Sequence, residues 1–501
     1  MESMTPEEID YFRLYAGSHP NIGSGDMAHL FEALVTEMND PTGHMERIEA
    51  DQRVANELYR MLLRSLRFYL DGADIGVVLR SKMEEYRVLV ARCLYDQADR
   101  TIADARELAR RFEFFYELIQ IINLQKTRMH RISDLKTASE VRIQLEEDEQ
   151  EAWKLLENYR AFRSISKEIS ELYRHPEKHG KDSKLEKLSN LFASVLLRQE
   201  EAALSQSARY YFYHERATYF YYIGDVRKAY GENEKLIKLL QRSPFLVDLS
   251  LPGFVVTYFN NLVFNLELEH WAEFEQRLNE FENIPDSMSK FDTLRYRKYI
   301  FERARFLELK KLLFLGKFQE GIDSIPAIEA GIDLYGDKLD PYFKAQFWYV
   351  FAYFYFLQED YEGCRHWVER LLTISGFRED VTAEALMLNR LLDYEMGWQE
   401  AFRNALPDTK SFLEKTDCLL ETHLSVLDGL ETAIQAGSDL EKHNALELVR
   451  RKIDESESNP DTKMHVGYFD YASWLQSKLE KRPFSEVFAA REATSKFRVI
   501  R

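Results

Sequence analysis

Twelve histidines and three cysteines are the residues from which a metal or nucleophilic centre would have to be built. His175 and His179 are four apart, the spacing that sets two imidazoles on one helix face for a shared metal. Pro176 and Gly180 place them in a loop instead, and Lys178 and Lys181 would repel a cation. No HExxH string occurs. Cys93, Cys364 and Cys418 are odd in number, far apart and without a CxxC pair. Neither a disulfide framework nor a thiolate metal site is expected from them. Gly23-Ser24-Gly25-Asp26 lacks the third glycine of a dinucleotide loop, and no phosphate-cradling string is present. There is no nucleophile elbow, and a Ser-His-Asp set assembled from distant residues would leave no spacing to read. Among 85 acids, chance carboxylate pairs are inevitable and none stands out. The expectation is a protein with no cofactor, no metal and no enzymatic activity.

Aromatic rings are the stronger local anomaly. Tyr210-Tyr211-Phe212-Tyr213 and Tyr219-Phe220-Tyr221-Tyr222 share one helical segment; Tyr349, Phe351, Tyr353, Phe354, Tyr355 and Phe356 share another. Consecutive aromatics on a helix point in every direction, so both faces need cover. Packing between neighbouring helices is the first reading, and lining of a binding groove is the sharper one. A basic cluster runs through Arg295, Arg297, Lys298, Arg303, Arg305, Lys310 and Lys311, with Glu302 and Glu308 between. Intrahelical ion pairs explain that pattern; a nucleic-acid patch is the lesser reading. The net charge of −18 repels phosphate backbones, so nucleic acid is a poor candidate partner.

The elements that position these residues are helices. Only 20 glycines and 12 prolines occur in 501 residues, about half the usual share. A sandwich, a barrel or a doubly wound sheet would need many more turns. Thr5-Pro6-Glu7-Glu8 is a helix start, and a long charged helix is expected over 141–173, with Trp153, Leu156, Tyr159 and Phe162 at helical spacing. It leads through the polar loop around 175–182 into a second helix, an antiparallel hairpin. Further on, short breaks fall at Gly224-Asp225, Glu269-His270, Leu315-Gly316, Glu359-Asp360 and Met396-Gly397. The residues that follow, Val226, Trp271, Phe318, Tyr361 and Trp398, are 45, 47, 43 and 37 apart. Two helices per period of this length predict an all-α fold, an α-solenoid of antiparallel hairpins with an N-terminal helical region. The expected divisions are 1–135, N-terminal helices; 136–205, the charged hairpin; 206–435, repeats; and 436–501, capping helices. A last break is expected at 456–461, with Phe469, Trp474, Leu475 and Leu479 on one face of a terminal helix.

Trp348, Phe351, Ala352, Tyr355, Tyr361, Cys364 and Leu371 resemble a tetratricopeptide repeat in their order of large, large, small and aromatic residues. Tyr213, Ala217, Phe220, Gly224, Ala229 and Leu236 follow the same order, and Leu312, Gly316, Phe318 and Gly321 follow it in part. The resemblance is to a degenerate form of the family, with long repeats and few helix-ending prolines. It extends weakly to 86–130, where Ala98, Ala105 and Ala109 supply the small positions. The stretches Leu391–Gly397 and Tyr468–Lys478 are also similar to those of tetratricopeptide-like proteins of Bacteroidota.

In that register Tyr211, His214, Thr218, Tyr221 and Tyr222 face a concave groove. Tyr349, Tyr353 and Phe356 do so in a later repeat, with Arg303 and Lys310 between. Tyr and Arg give large contact area at low entropic loss, which suits a peptide or protein partner carrying acidic groups. The expected function is a scaffold or adaptor that binds such a partner on a concave helical surface. Rival readings are a peptide-sensing regulator, a nucleic-acid-associated protein and an enzyme whose site distant residues assemble. The longest apolar run, Phe347–Leu357, has eleven residues where a membrane span needs about 20. With no basic-then-apolar start at Met1–Glu8 and few cysteines, a cytoplasmic setting is expected. Oligomeric state is not encoded in any of these features.

Overall fold

The computed structural model describes residues 4, 6–18, 25–38, 51–69, 74–128, 135–174, 181–288, 293–373, 379–416, 421–458 and 469–491. Regular structure among them is helical, with no strand. His175, His179, Cys418 and the break at 459–461 lie outside the described residues. The chain forms two compact units, Met1–Ser250 and Leu251–Arg501.

In the first unit, α1 (Pro6–Ser18), α2 (Gly25–Met38) and α3 (Gln52–Tyr69) enclose a small core around Phe12, Phe31, Leu58 and Met61. Helices α4 (Ile75–Ala91), α5 (Tyr95–Arg111), α6 (Phe115–Lys126) and α7 (Leu135–Arg174) follow, and from α5 on each packs on the helix before it. Fully buried Ala98, Ala105 and Ala109 let α5 approach its neighbours closely. After α8 (Lys181–Phe192) and the single turn α9 (Val195–Arg198) comes the tight pair α10 (Gln206–Tyr222) and α11 (Val226–Arg242), then a 3-10 segment, Pro244–Leu249. The long charged helix is therefore one element, α7, packed on α6 and α10 inside the first unit.

The second unit is a succession of hairpins: α12 (Leu251–Glu267) with α13 (Trp271–Glu282) and the short α14 (Ile284–Ser287), α15 (Leu294–Phe314) with α16 (Phe318–Tyr335), α17 (Pro341–Leu357) with α18 (Tyr361–Leu372). It continues through α19 (Glu379–Glu395) with α20 (Gln399–Lys415) and α21 (Glu421–Gln435) with α22 (Asp439–Ser458), and ends in α23 (Tyr471–Glu480) and α24 (Phe484–Ala490). First helices α12, α15, α17, α19 and α21 pack in sequence, and each second helix also packs on the next first helix. This is the contact pattern of a helical-repeat solenoid, as the sequence predicts. The sequence boundary at 435 falls between the two partners of one hairpin, α21 and α22.

All five sequence breaks are the same turn. Gly224, Glu269, Gly316, Glu359 and Gly397 adopt left-handed backbone, with φ of 81°, 59°, 69°, 59° and 71°. The next N–H in each case, from Asp225, His270, Lys317, Asp360 and Trp398, donates to the carbonyl five residues back at 2.8–3.0 Å. That is the Schellman closure of a helix C-terminus. In two of the five the following helix opens on a capping carboxylate: Asp225 accepts from the Lys228 N–H at 3.1 Å and Asp360 from Gly363 at 2.9 Å. Small residues then sit where the hairpin closes. Ala229 and Cys364 are fully buried, and a Cβ at Gly321 would overlap the Phe354 ring.

Candidate functional site

Arg303 is the most distinctive side chain on the first-helix face of the second unit. It stands one turn after Tyr299 on α15, and its guanidinium lies over that ring at 3.3 Å. Phe343, at the start of α17, is 4.8 Å away, and Phe259 of α12 is 5.6 Å away. Three successive first helices thus wall one cation, the stacked geometry in which guanidinium and ring attract. Its contacts to the Glu302 carboxylate and the Tyr299 carbonyl are both 3.5 Å, at the long limit of a hydrogen bond. The side chain keeps 19% exposure, and burial lowers its pKa from the usual guanidinium value. Glu302 beside it is committed elsewhere. It accepts the Asp340 N–H at 3.0 Å at the start of α17, and burial raises its pKa. Lys310, two turns further along α15, is half-buried with its ammonium 4.9 Å over Phe306.

Tyr349, Tyr353 and Phe356 do not line an open groove, which corrects the sequence reading. They are 1%, 0% and 1% exposed. The register sets them on one face of α17, but α23 and α24 cover that face. Phe469, Phe484 and Phe488 pack against Tyr353 with ring centroids 5.2–6.4 Å apart, and Phe356 meets the first two of these. The Tyr353 hydroxyl accepts the Asp470 N–H at 3.4 Å, and burial holds it neutral far above the ordinary phenol range. On α19, Glu395 accepts from the Trp474 indole at 2.6 Å and from Lys478 at 2.7 Å. His423 of α21 meets Glu384 of α19 at 3.2 Å, next to the Tyr471 ring. This acid–imidazole–phenol group is packed in the core, its imidazole 2% and its carboxylate 5% exposed. The pair lies buried against the terminal hairpin. Of the four residues expected on one face of a terminal helix, Trp474, Leu475 and Leu479 lie on α23, while Phe469 precedes it and packs on Tyr353.

In the first unit, the α10 residues behave differently. Tyr211 is half-buried with its ring 6.0 Å from Tyr159 of α7, and burial raises its pKa. His214 places Nδ1 3.0 Å from the Glu215 carboxylate. Thr218 turns its hydroxyl back to the His214 carbonyl at 3.0 Å. Tyr222 is half-buried, and Tyr221 is 36% exposed. None of these residues is enclosed as Tyr353 is.

The basic cluster has partners that the sequence reading placed on its own helix. Arg297 pairs with Asp286 of α14 at 2.7 Å, and Arg305 and Lys311 pair with Glu282 and Glu275 of α13. Within α15, Arg305 pairs with Glu308 at 2.6 Å, and Lys298 and Arg303 contact Glu302. The cations mainly fasten α15 to the preceding hairpin. Beside them α13–α16 border a cleft of about 480 Å3 whose apolar floor includes Ile300, Leu309 and Ile328. Among the described residues no group of three His, Cys, Asp or Glu is placed to hold a metal, and no helix is long and apolar enough to cross a membrane.

No family model and no curated protein matches the chain. Among solved structures, the chain is similar to the crystal structure of Rap protein complexed with competence and sporulation factor, with TM-score 0.37 and 14% identity. That match covers 76% of this chain and 99% of the other. The likeness is too distant to carry a ligand across.

Proposed function

We propose that the protein is a non-enzymatic scaffold that binds an acidic peptide or protein segment on the first-helix face of the second unit, with Arg303 as the anchor. The observation that carries this reading is the Arg303 box. Phe259, Tyr299 and Phe343 hold the guanidinium in place, and its contacts to the Glu302 carboxylate and the Tyr299 carbonyl are long, at 3.5 Å. A carboxylate arriving there gains a charge-assisted, bidentate partner without reorganising the site. Lys310, two turns on, adds a second cation for a further acidic residue. Tyr349, Tyr353 and Phe356 have no part in it, because the chain's own C-terminal hairpin fills that stretch.

A random peptide library screened against the full chain tests the proposal. Selected peptides are expected to be rich in Asp or Glu. Arg303→Gln should weaken them at least about tenfold, or about 1.4 kcal/mol, within the range of a hydrogen bond to a charged group. Selection without acidic residues, or affinity untouched by Arg303→Gln in a normally folded protein, would remove Arg303 as the anchor.

A further inference from the structure

The first unit holds a cavity of about 310 Å3 where the starts of α4, α6 and α10 meet the middle of α7 and the segment 245–249. Its walls are aromatic: Phe112, Phe114, Phe115, Tyr116, Tyr159 and Phe245. Its polar groups include four carboxylates, Asp74, Glu113, Glu117 and Asp248, and none of the lining residues is Lys, Arg or His. In sequence its signal is the string Phe112 to Tyr116.

Helix N-termini ordinarily attract anions, and three of them point here. Two already hold a protein carboxylate. Asp74 accepts the Val77 N–H at 2.9 Å, and Glu113 accepts those of Gln206 and Ser207 at 2.8 Å each. Asp74 and Glu113 are therefore committed to helix ends. Glu117 is half-buried, and among the described residues it forms no hydrogen bond or ion pair. One wall already holds a cation on its edge, since the Arg111 guanidinium lies 5.3 Å over the Phe112 ring. Arg80 reaches Gly76 at the rim, and neither arginine enters the lining.

Aromatic faces with carboxylates and no internal cation are the chemistry that recognises an organic cation. The volume is at the low end for small-molecule pockets, the size of one amino-acid side chain or a small amine. We propose that this cavity binds an alkylammonium or guanidinium group on a short apolar stem, with Glu117 as its counter-ion. The source is either a free amine or an Arg or Lys side chain of a partner. This site is independent of Arg303, which takes the opposite charge and lies in the other unit.

Ligand-observed NMR on the full chain decides it. The probes are n-butylguanidinium, its neutral isostere n-butylurea, spermidine, and the capped peptide acetyl-Gly-Arg-Gly-amide. Butylguanidinium should bind and butylurea should not. Glu117→Gln should weaken the cation at least tenfold, and Tyr116→Ala, which removes an exposed wall, should weaken it several-fold. Both variants are checked for unchanged helicity. Tighter binding of spermidine assigns a free amine and tighter binding of the peptide assigns a side chain; either supports the site. No binding of any cation, equal binding of butylurea, or full affinity in Glu117→Gln overturns it. Arg303→Gln should leave these affinities unchanged, so failure here and failure of the acidic-peptide reading are distinct results.

Discussion

On α10 the imidazole of His214 is 25% exposed, while the Glu215 carboxylate it meets is only 2% exposed. Burial alone would lower the imidazole pKa, but the charge and hydrogen bond of Glu215 more than offset it, and the pKa is raised. An unfolded histidine titrates near 6.5. A folded value above that means the charged pair stabilises fully below about pH 6.5, and the benefit is lost as pH rises through the folded value. Thermal melts from about pH 5.5 to about 8 should show the first unit weakening across this window. His214→Gln should flatten that slope. An equal slope in the variant would mean another group sets it. At this scale the sequence was informative about direction and silent about cover. Helical spacing puts Tyr353 and Arg303 on the same kind of face, yet Tyr353 is sealed and Arg303 keeps partial exposure. The difference lies in Asp470 and Phe469, which reach Tyr353 across 117 residues of chain. No spacing within α17 encodes so distant a contact.

The turn between paired helices is the feature most legible in the sequence, because one backbone geometry recurs and imposes a pattern. Three of the five left-handed positions carry glycine, and Glu269 and Glu359 do not. Left-handed backbone is disfavoured by roughly 1–2 kcal/mol for a residue with a Cβ. Glu359→Gly should therefore stabilise the second unit by about 1 kcal/mol, or raise its melting temperature by about 2–4 °C. Glu269→Gly should act in the same direction. Gly316→Ala should do the reverse, since its Cβ adopts φ of 69° and comes 3.4 Å from Ala489 of α24. Denaturant melts of the three variants check the signs; a destabilised Glu359→Gly would mean that its side chain makes a contact worth more than the backbone relief. The basic stripe of α15 was legible only as charge. Spacing shows which cations can pair within a helix, and not that Glu275, Glu282 and Asp286 would arrive from the preceding hairpin.

At the largest scale, each hairpin leaves an apolar face for the next, so a row of them needs an end. In the second unit residues 469–491 supply more than an end. They lay Phe469, Trp474, Phe484 and Phe488, all at most 3% exposed, along α17 and α19, and the Tyr471 ring stands 6.1 Å from that of His423. A cover held by this many buried rings is part of the fold: losing one large buried aromatic costs about 3–5 kcal/mol. Ending the chain after Ser458 should therefore expose Tyr349, Tyr353 and Phe356 and raise binding of a hydrophobic dye. Hydrogen exchange should show the loss graded by contact. Helices α17, α19 and α21, which touch the hairpin, should lose protection first, while α12 and α13 keep theirs longest, because coupling in a repeat array passes from neighbour to neighbour. Uniform loss across the second unit would mean that the array unfolds as one cooperative body. Intact protection in α17 would mean that the hairpin rests on a core already complete without it.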